Sequence, residues 1–418
     1  MATAPPSAAQ EWRAHGMIAF SAMLGYSFVT IPSTSLGLFM EPLEQAFGWG
    51  RAEVTSGLAI MAIITTPLAP IAGWLADRLG CRTVVIPGLA LNALVFAAMG
   101  LITGPQWQWI LLWVAYSLTQ LPIRSMVWTS AVSAAFSVSR GLALAVVMSG
   151  IAIASTLVPP LTRWLIDSFG WQGAFAGLGF GWGGMGLVMV VLFFRDLRKE
   201  PVARTADTQE SPAAKAAPGG LTLGQAVRDH RILRIGFAMF LQSSMAAAFI
   251  VHLVPMLSGS GLTRATAAGL AAMLGLAGLT GQLVTGWLAD RTRGSLLPMT
   301  IFILPALGYA AILQGAGSLP ILALGVLLGG VASSATINMA TYLTSRYAGV
   351  RSFGAIFGAI SSLMGLGGGC GPLIAGMIYD ATHSYAIMLT AGIVAAVLAG
   401  AALFGLGPYP NYETSKEA

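Results

Sequence analysis

The sequence predicts an all-α membrane protein of twelve transmembrane helices in two pseudo-symmetric six-helix bundles. Three observations support this fold class: an apolar composition, twelve long apolar runs, and a sequence block that occurs twice. Hydrophobic residues make up 56% of the 418 residues and charged residues only 9%, whereas a soluble domain carries about 25% charged residues. So few charges cannot cover a water-facing surface, which excludes a soluble enzyme of one to three domains.

Twelve runs are long and apolar enough to cross a bilayer, which takes about 20 mostly apolar residues in a helix. The predicted spans are residues 17–40, 53–76, 83–103, 108–134, 141–166, 172–194, 232–257, 266–289, 296–315, 319–344, 352–378 and 385–406. The polar segment 195–231 divides them six and six. It therefore predicts an N-terminal bundle over 17–194 and a C-terminal bundle over 232–406, joined by a cytoplasmic linker and flanked by cytoplasmic tails at 1–16 and 407–418.

The distribution of basic residues predicts the orientation of these spans. With both termini in the cytoplasm, 17 of the 21 lysines and arginines fall in cytoplasmic segments. Arg51, Arg163 and Arg264 fall outside, and Arg124 lies within a span. Because cytoplasmic loops carry the excess of Lys and Arg, we predict a multi-pass protein with both termini cytoplasmic. The same loops explain the net charge of +6, so we predict no nucleic-acid partner.

A six-residue block, GWLADR, occurs at Gly73–Arg78 and again at Gly286–Arg291, 213 residues later. Further matches at the same offset are Pro42 with Pro255, and Arg51-Ala52 with Arg264-Ala265. Several matches at one offset indicate two related halves arranged as parallel repeats. Such repeats are typical of secondary transporters, whose substrate binds near the bilayer midplane at the repeat interface.

Several segments resemble a known family. GWLADRLGCR (Gly73–Arg82) is similar to the loop 2–3 signature of the major facilitator superfamily, and GWLADRTRG (Gly286–Gly294) to its loop 8–9 copy. The segments FGWGRAEVTSGLA, AFSVSRGLALAVVMSG, FIVHLVPML and RSFGAIFGAISSLMGLGGGCGP resemble bacterial members of the monocarboxylate transporter and oxalate:formate antiporter group. This resemblance, which covers Met17 to Leu406, implies the major facilitator fold.

The resemblance also implies a function and a location. We expect secondary transport of carboxylate-bearing solutes by alternating access across the bacterial cytoplasmic (inner) membrane, by a monomer embedded in the lipid bilayer. We expect no catalytic residue, no metal site and no cofactor. The solute is expected to be an organic anion, and a proton is the expected coupling ion, with uniport or exchange left open.

Eight residues are predicted to gate the cytoplasmic side. They lie in the two signature segments and in the loop before the fifth predicted span, 141–166. A carboxylate at a helix end pairs with loop arginines or caps a neighbouring helix N-terminus, and glycines allow helices to approach closely. The predicted gate residues are Gly73, Asp77, Arg78, Arg82, Arg140, Gly286, Asp290 and Arg291. The alternative interpretation is a plain polar loop tied by a surface salt bridge.

The sequence departs from the monocarboxylate group at its charged positions. In the first predicted span, 17–40, Ser33 stands where the group has a lysine. In the eighth, 266–289, Gly278 and Gln282 stand where the group has an Asp/Arg pair. No Lys or Arg lies between Phe353 and Asp380, where the oxalate carrier has a lysine. The resemblance therefore implies neither oxalate-like dianions nor the group's usual proton coupling.

Arg124 is the strongest candidate for substrate binding. A cation at the bilayer centre costs about 2.5–3.5 kcal/mol on insertion scales and marks a functional site by default. Gln120, Arg124 and Trp128 lie one turn apart on the predicted helix 108–134 and so share a face. The guanidinium offers a planar fork to a carboxylate and Trp128 an apolar platform, which predicts a monocarboxylate with a bulky or aromatic body. The alternative is a structural arginine bonded to helix carbonyls beside Pro122.

His252, in the outer half of the predicted helix 232–257, is the second candidate. It is expected to hydrogen-bond the substrate or to carry the coupled proton, and the alternative is a hydrogen bond to a neighbouring helix. Further polar residues predicted to line the cavity are Tyr26, Ser33, Gln282, Asn338 and Tyr342. Gly367–Gly371 before Pro372 predicts a bendable or a closely packed segment.

The alternative function is export of drugs or other amphiphilic small molecules on the same fold. Proton-linked exporters usually carry a glycine-proline motif in helix 5, which Gly150–Trp164 lacks. Exporters of cations also tend to hold a buried acid, whereas the predicted spans here hold no deep Asp or Glu. The sequence therefore favours the anion transporter.

Overall fold

A computed structural model of the chain describes residues 7–136, 138–195, 220–292, 296–349 and 351–410. Within these residues the only β pairing is an isolated antiparallel bridge between Gly220 and Gly349, and nearly everything else is helical. Ten helices, or runs of consecutive helices, in this part of the chain are long and apolar enough to cross a membrane. The predicted all-α membrane fold is confirmed.

The first of two compact units comprises Met1–Trp49 and Ser56–Arg204. Its helices are α1 (Ala8–Ser27), α2 (Ile31–Phe47), α3 (Arg51–Leu79), α4 (Cys81–Ala98), α5 (Gln106–Gln120), α6 (Ser125–Ala135), α7 (Arg140–Ala176) and α8 (Gly184–Phe193). Gly170, with φ 72°, breaks α7 into the two predicted spans, and a π-helical stretch leads from α7 into α8. In this unit α1 packs on α7 and α8, and α4 packs on α5.

The second unit comprises Gly50–Thr55 and Thr205–Ala418, so the first turn of α3 belongs to it. Its own helices are α9 (Leu223–Ala226), α10 (His230–Gly259), α11 (Arg264–Arg291), α12 (Leu296–Gln314), α13 (Leu319–Ala348), α14 (Phe353–Thr382) and α15 (Ala386–Leu403). The most extensive pairings are α10 with α14, α11 with α13, and α12 with α15.

Each predicted span coincides with one helix or with consecutive helices, but the first helix starts earlier than predicted. α1 begins at Ala8 because Ser7 forms a capping box with Gln10. The Gln10 side chain accepts from the backbone N–H of Ser7 at 2.8 Å, and Ser7 Oγ accepts from the backbone N–H of Gln10. Such a box satisfies two backbone donors that the first helical turn leaves unpaired, so much of the predicted tail is helix.

Candidate functional site

The predicted helix 108–134 is interrupted at Arg124. α5 ends at Gln120, a short 3-10 turn follows, and Arg124 is extended, with φ −70° and ψ 158°. Pro122, in that turn, has no N–H to donate and so removes a hydrogen bond from a continuing helix. The prediction that Gln120, Arg124 and Trp128 share one continuous helix face is therefore wrong.

Trp128 is a core residue. Its side chain is fully buried, and its indole Nε1 donates to the carbonyl of Ile123 at 2.7 Å. The ring packs edge-on against Phe194, with 5.2 Å between ring centroids, and Gly25 lies close to its six-membered ring. An enclosed ring has no free face, so the predicted role of Trp128 as a platform for substrate is wrong. It holds the turn before Arg124 in place instead.

Arg124 is half-buried beside Tyr26 of α1. The Tyr26 side chain is only 8% exposed; its hydroxyl lies close to the Ser125 side chain and within electrostatic reach of the guanidinium. Nη1 of Arg124 is buried and has no hydrogen-bond partner among the described residues. Because a guanidinium stays charged in proteins and an unpaired buried donor is costly, this N–H is a candidate donor to an anionic group.

Other buried polar atoms without a hydrogen-bond partner among the described residues lie on α4 and α5 of the first unit. Gln120 is 3% exposed, and neither its Nε2 nor the nearby Tyr116 hydroxyl has a hydrogen-bond partner in the described part of the chain. Asn92 of α4 donates to the carbonyl of Tyr116 at 3.0 Å, while its Oδ1 is unpaired there. Buried polar groups are nearly always hydrogen-bonded, so this region of α4 and α5 is suited to bound water or solute.

His252 is fully buried in the second unit. Its Nδ1 is 2.9 Å from the Tyr385 hydroxyl, and its Nε2 is 2.9 Å from the carbonyl oxygen of Pro372. A carbonyl only accepts, so Nε2 carries the hydrogen. Both ring nitrogens are therefore engaged within the protein, as the structural interpretation of this residue anticipated, and its predicted role in proton coupling stays a prediction.

Ser33, Gln282 and Asn338 are further residues that the sequence predicts to line the cavity. Ser33 is half-buried and donates to the carbonyl of Thr30 in its own chain segment at 2.9 Å. Gln282 is exposed on α11, and the side chain of Asn338 lies outside the described residues. Their role in substrate binding stays a prediction.

Tyr342 contacts the polypeptide beyond its own helix, α13. Its hydroxyl is 3.3 Å from the carbonyl of Thr292 and 3.2 Å from the hydroxyl of Tyr409. The Arg346 guanidinium lies 5.5 Å from the Tyr342 ring and 5.6 Å from the Tyr409 ring. Tyr342 thus ties the loop after α11 to the C-terminal segment, and nothing in these contacts tests its predicted role as a substrate ligand.

The repeated block places an arginine over a tryptophan twice. The guanidinium of Arg78 lies 5.3 Å from the centre of the Trp74 ring, and that of Arg291 lies 4.2 Å from the Trp287 ring. Both tryptophans are more than half exposed. The sequence repeat therefore appears in the structure as the same cation–π pair at the end of α3 and at the end of α11.

The other predicted gate residues differ from Arg78 and Arg291 in their described contacts. Arg82 donates to the carbonyl of Val191 in the last turn of α8 at 2.7 Å, where a cation stabilises unpaired helix carbonyls. Arg140 is exposed as the first residue of α7. The side chains of Asp77 and Asp290, and the packing of Gly73 and Gly286, lie outside the described residues, so a gate there stays a prediction.

A carboxylate that the sequence did not single out lies at the start of α7. Glu11 of α1 is 4% exposed and accepts from the backbone N–H of Val138 at 2.9 Å. It also accepts from the backbone N–H of Ser139 at 2.9 Å and from the Ser139 hydroxyl at 3.0 Å. A carboxylate at a helix N-terminus is stabilised by the helix dipole. The only sequence signal was an acidic residue just before the first apolar run.

We expect Glu11→Ala to destabilise the first unit by about 1–3 kcal/mol, because hydrogen bonds to a charged group are lost and their donors are left unpaired. Thermal unfolding of the purified protein measures this change. Arg13→Ala, at an exposed position on the same turn, is the control and should change the unfolding temperature little. Equal effects of the two replacements would show that the contacts of Glu11 do not hold α7.

Comparison with known proteins is consistent with this helical architecture. The family model described as Major Facilitator Superfamily matches residues 18–318. Monocarboxylate transporter 13 of Rattus norvegicus is 26% identical over 400 residues, covering 92% of this chain and 86% of that protein. Monocarboxylate transporter 11 of Homo sapiens is 26% identical over 379 residues, covering 84% and 74%. A bacterial relative, the uncharacterized transporter YycB of Bacillus subtilis, is 26% identical over 260 residues, covering 61% and 60%.

Solved structures share the fold at low sequence identity. The D-xylose-proton symporter superposes with a TM-score of 0.72 at 14% identity, covering 94% of this chain and 98% of that one. A bacterial homolog of the human lysosomal transporter Spinster superposes with a TM-score of 0.71 at 16% identity, covering 93% and 94%. The match of the family model over most of the chain, with this shared fold, confirms the resemblance seen in the sequence: the chain belongs to the Major Facilitator Superfamily and is a membrane transporter, not an enzyme.

Proposed function

We propose that the protein is a secondary transporter of organic monocarboxylates and that Arg124 binds the carboxylate of the solute. The observation that carries the proposal is the half-buried guanidinium, whose Nη1 has no partner among the described residues. An arginine fork makes two parallel hydrogen bonds to a carboxylate, and a bound anion would compensate a cation within a membrane span. The relatives named monocarboxylate transporters support this solute class.

The two hydroxyls beside Arg124 complete the proposed anion site. The hydroxyl groups of Tyr26 and Ser125 lie close to each other, and rotation of either hydroxyl would let it donate to a carboxylate oxygen. Trp128 is no longer part of the site, because its ring is enclosed. Only the carboxylate of the solute therefore has proposed ligands in the protein. The experiment compares solutes whose apolar bodies differ in size.

We also propose an orientation of the protein in the membrane and a test for the ion that is coupled to transport. The excess of basic residues in the predicted cytoplasmic segments supports cytoplasmic termini in the inner membrane of a bacterium. Coupling to a proton stays a prediction, because the charged positions of the monocarboxylate group are replaced by Ser33, Gly278 and Gln282, and a transport assay in the presence and absence of a pH gradient tests it. Accumulation of solute that is unchanged by the gradient would favour uniport or exchange.

Thermal unfolding of the detergent-purified protein against paired solutes tests the solute class. The pairs are propionate with propionamide and benzoate with benzamide, together with succinate and the cationic amphiphile tetraphenylphosphonium. A solute at 100 times its Kd should stabilise the folded state by about 2.7 kcal/mol. We expect stabilisation by carboxylates and not by their amides. Stabilisation by tetraphenylphosphonium alone, or equally by acids and amides, would contradict the proposal and favour an exporter of amphiphiles.

A further inference from the structure

An apolar groove runs along the surface of the second unit between α10 and α15. Phe237 and Leu241 of α10 line one side, and residues of α15 from Ala386 to Leu398 line the other. The groove holds about 580 Å³, and its lining residues are apolar except for Thr390. Phe237 and Leu398 are each half exposed. Because both helices are long and apolar enough to span the membrane, this surface faces the hydrocarbon of the bilayer.

The α10–α15 groove is long and narrow. Ala386 and Leu398 are 12 residues apart, which corresponds to about 18 Å along the helix. This length is close to the depth of one bilayer leaflet, about 15 Å. The volume divided by the length gives a cross-section of about 30 Å², whereas an α-helix with its side chains is about 10–12 Å across. These dimensions favour a single acyl chain over a helix of a second copy.

Arg234 lies at the end of the groove where α10 begins and α15 ends. It precedes Phe237 by one turn of α10, and its guanidinium reaches across to the end of α15. Nε donates to the carbonyl of Ala402 at 2.8 Å, and Nη2 donates to the carbonyl of Phe404. Nη1 has no hydrogen-bond partner among the described residues. Arg234 thus joins the two helices and still has donors for a ligand.

Arg231 is a second cation at the same end, one turn before Arg234. Its Nη2 lies 3.5 Å from the position that a Cβ at Gly407 would take. The Tyr347 hydroxyl, which donates to the carbonyl of Gly407 at 2.9 Å, lies within electrostatic reach of both guanidiniums. The nearby carboxylate of Asp229 accepts from the backbone N–H of Arg231 at 2.7 Å. In the described part of the chain, neither guanidinium has a carboxylate partner.

The arginine at the end of the groove is not part of the internal repeat. Ser21 of α1 stands 213 residues before Arg234. It is fully buried, and its hydroxyl donates to the carbonyl of Ile18 in its own helix at 2.9 Å. The repeated six-helix unit therefore forms without a cation at this position. This difference indicates that Arg234 serves a purpose that is particular to the second unit.

We propose that the α10–α15 groove binds an acyl chain of an anionic glycerophospholipid, whose phosphate pairs with Arg234 and Arg231. The distribution of basic residues predicts that this end of the unit is cytoplasmic, and basic pockets between membrane helices on that side bind anionic head groups. The lipid would neutralise two cations and join α10 to α15, as Arg234 does. The proposal depends neither on Arg124 nor on the identity of the transported solute.

Native mass spectrometry of the detergent-purified, delipidated protein tests the proposal. The probes are dioleoylphosphatidylglycerol, dioleoylphosphatidylcholine and inorganic phosphate. The second has the same chains without a net charge, and the third has no chain. The Kd of the first bound molecule is obtained by titration. We expect phosphatidylglycerol to bind about 25-fold more tightly than phosphatidylcholine, since each of two arginines near an anionic head group contributes about fivefold. Phosphate should bind far more weakly than phosphatidylglycerol.

Replacements separate the contact with the head group from the contact with the chain. Arg231→Gln removes one cation and no described hydrogen bond to α15, so it should weaken phosphatidylglycerol binding about fivefold and leave phosphatidylcholine unchanged. Arg234→Gln should weaken phosphatidylglycerol at least as much. Because Arg234 also holds the end of α15, Arg231→Gln decides the question if the Arg234 variant does not fold.

Ala391→Phe fills the groove and keeps both arginines, so it should weaken the binding of both lipids. Val397→Phe is the matched control. Both residues are exposed on α15, but only Ala391 lines the groove, so the control should change neither affinity.

Four outcomes would overturn the proposal. Equal affinity of the wild type for the two lipids, or undiminished phosphatidylglycerol binding by Arg231→Gln, would remove the head-group site. Undiminished lipid binding by Ala391→Phe would remove the chain from the groove. Phosphate that binds as tightly as phosphatidylglycerol would leave an anion site without a chain. A dimer that Ala391→Phe dissociates would show that a second copy covers the groove.

Discussion

Arg124→Ala should abolish binding and transport of a carboxylate solute without lowering the stability of the protein. Removal of one partner from a buried, hydrogen-bonded charge pair costs about 2–5 kcal/mol of binding, so the affinity should fall at least about 30-fold. Nη1 of Arg124 has no partner among the described residues. The replacement therefore leaves few protein groups unpaired, and it removes a cation from a membrane span.

The measurement is thermal unfolding of wild type and variant, each with and without benzoate and propionate. The Arg124→Lys variant keeps the charge but not the planar fork, so an intermediate loss of affinity is expected. Arg163→Ala is the matched control: this arginine of the same unit pairs with Asp167 on α7 at 2.7 Å and should not affect solute binding. Undiminished binding to the Arg124→Ala protein would remove Arg124 from the site.

A structural arginine gives the opposite pattern. If the guanidinium held the chain together at the break after α5, its removal would lower the unfolding temperature in the absence of solute. If Arg124→Ala leaves the stability intact and abolishes solute binding, Arg124 has a binding role and not a structural one. The two interpretations that the sequence left open for Arg124 are therefore separated by one variant measured in two conditions.

The membrane spans could be predicted from the sequence because the bilayer imposes them locally. A run of about 20 apolar residues is sufficient for a helix in lipid, whatever the remainder of the chain does. The repeat could also be found, since GWLADR is identical at Gly73–Arg78 and Gly286–Arg291. In the structure this identity gives the same pair twice, Arg78 over Trp74 and Arg291 over Trp287.

The candidate site could be predicted only in part, because its geometry depends on contacts between helices. Apolar periodicity across 108–134 does not show that the chain is extended at Arg124, and a proline inside a membrane helix is often tolerated. The burial of Trp128 depends on Phe194 and Gly25, which are distant in sequence. The partners of Glu11 lie more than a hundred residues away. No local pattern reports such contacts.

The glycines before Pro372 are the place where a single replacement is expected to destabilise the protein most. The sequence predicts either a bendable or a closely packed segment at Gly367–Gly371. In the structure α14 is one helix from Phe353 to Thr382. A Cβ at Gly371 would overlap the backbone carbonyl of Ser244 on α10, and its distance to the carbonyl carbon would be 2.7 Å. Backbone atoms cannot rotate away as a side chain can.

We therefore expect Gly371→Ala to destabilise the second unit by about 3 kcal/mol, at the upper end of overpacking effects, because α14 must move away from α10. Gly368→Ala is the matched control on the same helix. In the described part of the chain, no atom beyond the backbone of α14 lies within 4 Å of the position that the added methyl group would take. Alanine is also the better helix former by up to about 1 kcal/mol. Thermal unfolding of the two purified variants measures both effects.

The pair of variants also decides between the two interpretations of this segment. If the glycines serve as a flexible hinge, either alanine should stiffen α14 and slow transport, and neither should greatly change stability. If they serve close packing, only Gly371→Ala should be harmful, and its effect should reach the hydrogen bond between His252 and the carbonyl of Pro372, the next residue. The structure predicts the second pattern, since the described residues leave the space beside Gly368 open, whereas the backbone of α10 fills the space beside Gly371.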